Sequence, residues 1–363
     1  MTPPPDPQRV EGNPARPVRD EDAFDVDAVA AWIGRGPIAE VRQFAGGASN
    51  LTYLLRYDDA AGADLILRRP PAGSKARGAH DMGREHDVQQ ALAPVFPFVP
   101  TMVGLCTDAS VIGSEFYVME KVDGLIPRKD FQVEVSPAAA SALCSDALDV
   151  LVALHAVDVA AVPTLAALGR GDGYVARQVG GWTRRFADAR TVDTGDWGAV
   201  VAWLDERQPR DVGQVLVHND FRLDNLVLDQ DSLAVVGVLD WEMATVGDPL
   251  MDLGGALAYW VQADDDEVFQ MFRRQPTAAP GMWTRAEVVA AYAERTGRDV
   301  DPERWRFYEV FGLFRLAVII QQIWYRYVHR QTTNEAFAHL GGAVAYLEGR
   351  CRALVGPGPG GAA

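Results

Sequence analysis

Apolar positions along this chain recur at two different spacings, and the change from one to the other divides it. Between Val41 and Met119 they alternate or run in short blocks bounded by Gly, Pro, Asp and Ser. That pattern predicts strands at Val41–Phe44, Leu51–Tyr57, Asp64–Arg69, Met102–Cys106 and Glu115–Met119. Helices are expected at Asp27–Ile33 and around Asp81–Leu92. Past Glu120-Lys121-Val122-Asp123-Gly124, which reads as a linker, the spacing becomes helical: Leu143, Ala147, Leu151 and Leu154 share one face. His155 closes that helix and reads as a capping or packed histidine rather than a ligand. A loop and helix follow over Gly171–Ala189, and further helices over Arg285–Thr296 and Asp301–Arg330. Another opens at Asp248-Pro249, where an N-cap oxygen precedes a residue whose missing N–H costs nothing in the first turn. The expected architecture is α+β and bilobal, a small β-rich lobe before a larger, mostly helical one.

The stretch from Val215 to Glu242 stands apart, because its apolar blocks alternate with acids and amides. Strands are predicted at Val215–Val217, Leu226–Leu228 and Ala234–Leu239, presenting Asp220, Asn225 and Asp240 at one edge of a single small sheet. Two oxygen side chains at such an edge suit Mg²⁺, which takes few protein ligands and leaves the rest to water and phosphate. Asp220 could orient a hydroxyl and accept its proton, and the forked donors of Arg222 could reach a transferring phosphate. Upstream, Gly46 and Gly47 would let backbone amides approach phosphate closely, although a glycine hairpin by itself is commonly just a tight turn.

Length and charge narrow the choice. At 363 residues the chain suggests about two domains. The expected boundaries are a disordered tail over residues 1–24, a nucleotide-binding lobe over 25–121, a catalytic and substrate lobe over 122–355, and a tail over 356–363. A net charge of −16 argues against nucleic acid and against an anionic membrane as partners. It fits a solvated acidic surface, or a cationic substrate. The run Phe311–Val328, interrupted by Arg315, Gln321, Gln322 and Arg326, reads as a buried helix rather than a membrane span. Cys106, Cys144 and Cys351 lack metal-ligand spacing, and with no apolar leader at the N-terminus a reducing cytoplasm is expected. Whether the protein is a monomer or a homodimer stays open.

His218-Asn219-Asp220 through Asn225, with Leu239-Asp240-Trp241-Glu242 and Gly247-Asp248-Pro249, resembles the aminoglycoside phosphotransferase and choline kinase group. That group shares the bilobal fold of protein kinases. The resemblance runs from about Val41 to the last helices and implies an ATP- and Mg²⁺-dependent phosphotransferase acting on a small-molecule hydroxyl. It implies Asp220 as catalytic base, His218 as a brace of its loop, and Asn225 and Asp240 as Mg²⁺ ligands. In the small lobe it implies that Ala45–Asn50, with Gly46, Gly47, Ser49 and Asn50, covers the phosphates. Glu120 and Val122 would offer backbone groups to adenine. The group pairs a strand lysine with a helix glutamate; here Arg68 and Glu85 occupy those positions, and no lysine is available. That substitution keeps open a nucleotide-binding pseudokinase without transfer. Leu67–Pro71 and Arg177-Gln178-Val179 with Trp182 are similar to the branch joined to acyl-CoA dehydrogenases, which implies a hydroxyacyl-CoA acceptor; an aminoglycoside-like one is the other possibility.

Overall fold

The computed structural model describes residues 15–44, 50–58, 63–71, 81–332 and 334–356. In chain order the first elements are β1 (Arg16–Pro17), α1 (Val26–Ile33), β2 (Glu40–Gln43), β3 (Leu51–Arg56), β4 (Leu65–Arg69), α2 (Met82–Leu92), β5 (Met102–Cys106) and β6 (Phe116–Glu120). Then come α3 (Pro137–His155), α4 (Pro163–Ala166), α5 (Tyr174–Asp188), α6 (Gly198–Glu206), β7 (Val215–Val217), β8 (Leu226–Leu228), β9 (Val235–Val238) and β10 (Thr245–Gly247). Five helices end the chain: α7 (Pro249–Leu257), α8 (Glu267–Met271), α9 (Arg285–Thr296), α10 (Pro302–Val328) and α11 (Leu340–Val355).

These form two units. The first takes the chain to Glu134 together with Ala160–Leu165 and Leu223–Ala244; the second takes Val135–Val159, Ala166–Arg222 and everything from Thr245. The single boundary expected near residue 121 is therefore replaced by a chain that returns to the first unit for the β8–β9 hairpin.

In the first unit a six-stranded antiparallel sheet runs β1-β2-β3-β4-β6-β5. Its strands alternate with period two, and both faces are apolar. Tyr53, Leu55, Leu65, Leu67, Phe116 and Val118 pack with Val29 of α1, while Leu54, Ile66, Tyr117 and Met119 pack with Met82 of α2. Each fully buried leucine there contributes roughly 1.5–3 kcal/mol. The same alternation sorts the two adjacent arginines of β4: Arg68 shares the face of Ile66, and Arg69 that of Leu67.

Arg69 explains a departure from expectation. Residues 15–24 are part of the fold and not a tail, since Arg69 Nη2 donates to the Asp22 carbonyl at 2.6 Å and Tyr53 Oη donates to it at 2.9 Å. Gln43 Nε2 donates to the Asp22 carboxylate at 2.8 Å, and β1 pairs with β2. A Pro- and acid-rich composition masked a segment held by long-range hydrogen bonds.

The strands of the 215–242 stretch do not share one sheet. β8 pairs with β9, Leu226 opposite Val238, whereas β7 pairs with β10, Val217 opposite Thr245. β7 is buried throughout and needs a backbone partner. Thr245-Val246-Gly247 supplies it, a three-residue strand too short to announce itself in the sequence.

Two glycines set close approaches. In the second unit a Cβ on Gly312 of α10 would lie 2.2 Å from the carbonyl of Gly254 in α7, so glycine is what lets these helices touch. In the first unit Gly124 has φ +155, and a Cβ there would meet the Leu228 carbonyl at 2.3 Å. That carbonyl accepts from Leu125 N at 2.7 Å. Gly124→Ala is expected to destabilise by roughly 3 kcal/mol, read as a lowered urea midpoint; an unchanged midpoint would show that the bridge to β8 moves freely.

Candidate active site

In the first unit, strand alternation aims Arg68 at α2. Its guanidinium is ion-paired through Nη1 with Glu85 and through Nη2 with Asp240, the latter at 3.1 Å. The Arg68 side chain is 11% exposed and that of Glu85 is 1% exposed, so this is a desolvated pair and not a surface contact. Burial works against charge on Arg68, but Glu85, Tyr117 and Asp240 around it hold its pKa well above the ordinary arginine value. For Glu85 burial pushes the carboxyl up, and the Arg68 guanidinium pulls it back only in part. The expected cation and helix acid therefore meet, and the cation also reaches the hairpin carboxylate.

The β8–β9 hairpin explains how Asn225 and Asp240 come to share one end. Leu239 N donates to the Asn225 carbonyl at 2.8 Å, one step beyond the Leu226–Val238 pair. Asp240 then turns out of the strand with φ +69, a left-handed conformation uncommon outside glycine and tolerated best by Asn and Asp. Trp241, wholly buried, anchors the turn by donating Nε1 to the Val238 carbonyl at 2.9 Å. Arg84 of α2 binds the carbonyls of Glu242 and Ala244, the first at 2.8 Å, and Asn50 Nδ2 donates to Glu242 Oε2 at 3.3 Å. A carboxamide oxygen and a carboxylate at one hairpin end are a donor set that fits Mg²⁺. Among the described residues no cluster of three or more His, Cys, Asp or Glu forms a metal cage.

Other small-lobe positions are less committed. Glu120 ends β6 and lies 3.8 Å from Arg35; Val122 packs its methyls where Gly237 leaves room. Gly46, Gly47 and Ser49 lie outside the described residues.

In the second unit the chain leaves β7 at His218 and makes a sharp loop. His218 is wholly buried, and its Nδ1 accepts from Asp220 N at 3.2 Å, which leaves the ring proton on Nε2. Asn219 sits at φ +64. The Asp220 carboxylate faces Arg222 Nε at 3.1 Å, and the Arg222 guanidinium lies 4.5 Å from the ring centroid of Tyr259. No local pattern in the chain marks Tyr259, although guanidinium over an aromatic face is a favourable arrangement.

Beneath the loop lies a network that sequence spacing could not have found. Asp252, on α7, accepts His218 N at 2.8 Å and Asn219 N at 2.6 Å. His155, the last residue of α3, bonds through Nε2 to Asp252 at 3.1 Å and through Nδ1 to Tyr292 Oη at 2.8 Å. Burial would raise the Asp252 carboxyl, yet His155 and His218 hold it below the usual aspartate value. The expectation for His155 is met, since it is packed and hydrogen-bonded. Asp248 caps α7 through Leu250 N at 2.9 Å and also receives Val212 N at 2.7 Å, a cap and a loop brace together. The candidate base thus belongs to the second unit, and the two candidate metal ligands to the first.

Comparison with known proteins sets these arrangements in context. The family described as "Phosphotransferase enzyme family" matches residues 40–308. Acyl-CoA dehydrogenase family member 10 of Mus musculus is 34% identical over 328 residues, covering 88% of this chain and 30% of that protein. Member 11 of Homo sapiens is 34% identical over 298 residues, covering 81% and 37%. The chain thus spans about a third of the length of these relatives. Among solved structures, a Ralstonia eutropha protein described as a candidate aminoglycoside phosphotransferase has 30% identity and a TM-score of 0.76, with 92% of this chain and 98% of that one covered. An aminoglycoside phosphotransferase in ternary complex with AMP-PNP and hygromycin B, 15% identical with a TM-score of 0.56, shares the fold over 92% of this chain and 98% of its own.

Proposed function

This chain belongs to the phosphotransferase enzyme family, and on that premise we propose that it transfers the γ-phosphate of ATP to a hydroxyl of a small molecule, with Mg²⁺ as cofactor. The observation that carries this reading is the Arg68 guanidinium bound to Glu85 and Asp240 together. A strand cation held by a helix acid is what a kinase-like nucleotide site requires, and here the cation is an arginine whose fork can hold two phosphate oxygens.

Asp220 would accept the proton of the acceptor hydroxyl as its oxygen bonds to the γ-phosphorus and the bond to the ADP oxygen breaks. Arg222, steadied on Tyr259, would meet the transferring oxygens when the phosphate draws it from Asp220. Asn225 and Asp240 would hold Mg²⁺, which when bound neutralises phosphate charge. Little else is asked of the protein, because phosphoryl transfer depends mainly on positioning and on charge neutralisation.

For the acceptor, the relatives named as acyl-CoA dehydrogenase family members favour a hydroxyacyl-CoA over an aminoglycoside. A mass-spectrometric screen of purified protein with Mg-ATP against hydroxyacyl-CoAs, aminoglycosides, cholines and sugars tests this. Phosphate gain on a hydroxyacyl-CoA, abolished by EDTA, is the expected result; phosphorylation of proteins alone would overturn it. One observation favours a second reading, nucleotide binding without transfer: Arg68 already occupies the Asp240 carboxylate that the metal would need. Retained ATP binding with no acceptor phosphorylated and no ATP consumed would select that reading.

A further inference from the structure

We propose that Arg315, on α10, is a positioning residue for Asp220 and acts through the Asn219–Asp220 peptide; this rests on the phosphotransfer reading above.

Arg315 interrupts the most apolar stretch of the chain and is 5% exposed. A guanidinium is not desolvated in a helix core without partners that compensate it. Its Nη2 donates to the Asn219 carbonyl at 2.6 Å. The other side of that same peptide, Asp220 N–H, donates to His218 Nδ1 at 3.2 Å. The peptide unit entering Asp220 is therefore gripped at both of its polar atoms by buried side chains. One residue earlier Asn219 N is held by Asp252, and the Asn219 side-chain oxygen accepts Tyr174 Oη at 3.1 Å. The left-handed φ of +64 at Asn219 is the conformation these contacts impose, and it sets the direction in which Asp220 leaves the backbone.

Two further features fix the guanidinium. It lies 5.3 Å from the Trp182 ring centroid, and Trp182 is held by Nε1 donation to Gln178 at 3.1 Å. On α7, a Cβ at Gly255 would come within 2.9 Å of Arg315 Nη1, so the absence of a side chain there leaves the guanidinium its place. In the sequence Trp182 was legible only as part of the resemblance to the dehydrogenase-linked branch. The geometry gives it instead a share in aligning the candidate base.

The test uses the full chain with three substitutions: Arg315→Met, which removes the donors; Arg315→Lys, which keeps one; and Gly255→Ala, which displaces the guanidinium while favouring helix. Two readouts are taken, hydrogen exchange of the His218–Asp220 amides and Mg-ATP turnover. Arg315→Met is expected to speed exchange in that loop but not across α10, and to lower kcat by about 100-fold with KM for ATP nearly unchanged. Arg315→Lys should recover part of both, and Gly255→Ala should move both in the direction of Arg315→Met while the chain remains folded. Loop amides exchanging as in the wild type would overturn the proposal. So would faster exchange spread evenly over α10, which would mark a packing role. If Arg315→Met does not fold, Gly255→Ala decides. A wild type without turnover would refute the phosphotransfer reading, while loop exchange would still report on the clamp.

Discussion

Asp220→Asn is expected to lower Mg-ATP-dependent phosphate transfer by about 10³-fold, the range in which a positioned proton acceptor contributes. The substitution keeps the shape of the side chain and removes its basicity. Its backbone stays in place, because the Asp220 N–H bonds to His218 and the preceding carbonyl to Arg315, neither of which depends on the side chain. What it disturbs is the partly buried pair with Arg222, whose two side chains are 18% and 19% exposed and whose Nε can still donate to the Asn oxygen. Folding should therefore be nearly unaffected, and ATP affinity should stay within a few-fold. Single-turnover measurement of phosphate on the acceptor, beside equilibrium binding of ATP, separates these effects. Turnover equal to the wild type would remove Asp220 as the base. The two outcomes also divide the readings of Arg68: a transferring enzyme tolerates its arginine fork, whereas a pseudokinase would show no activity for Asp220→Asn to lose.

How much of this could be read from the chain depends on how local each signal was. Strand alternation was legible, and the period of two places Arg68, the position the family resemblance implied, on the α2 face with Glu85. The helix start at Asp248-Pro249 was legible because cap chemistry is confined to a few neighbouring residues. The 218–225 and 239–242 motifs gave the family, and the matching relatives include the dehydrogenase-linked branch that Leu67–Pro71 and Trp182 suggested. The illegible parts share a different character. His155 meets Asp252 across 97 positions and Tyr292 across 137, and no periodicity encodes such a meeting. Arg315 looked like an interruption of an apolar helix, since its partner is a backbone carbonyl 96 residues away. The expectation of a disordered tail failed over residues 15–24 for the same reason, since their order depends on Arg69, Tyr53 and Gln43 rather than on their own composition. In each case buried polar groups demanded partners, and only the three-dimensional structure supplies them.

The largest stability effect is expected at Asp252. Its carboxylate is wholly buried and takes two backbone amides, His218 N and Asn219 N, together with His155 Nε2. An Asn in its place offers one acceptor oxygen and turns an NH₂ group toward an amide that must donate. One buried N–H then goes unanswered, and the His155–Tyr292 arm loses the charge it points at. A loss of about 3–5 kcal/mol follows, a large part of the stability of an ordinary domain. The pH dependence has a definite sign. The folded carboxyl is held below its ordinary value, so across the acid range the unfolded chain binds the extra proton and stability rises with pH. Asp252 therefore stabilises fully above an unfolded aspartate pKa of about 4, and progressively less as pH falls through its lower folded value. Urea unfolding of wild type and Asp252→Asn at neutral and acid pH checks both points: the gap between them should be widest at neutral pH and narrow on acidification. A gap of constant size would assign the loss to packing and not to charge. Because the same carboxylate holds the two amides that lead into Asp220, the surviving folded fraction of Asp252→Asn should also turn over Mg-ATP more slowly. In that respect it should resemble Arg315→Met, which loosens the same loop from its carbonyl side.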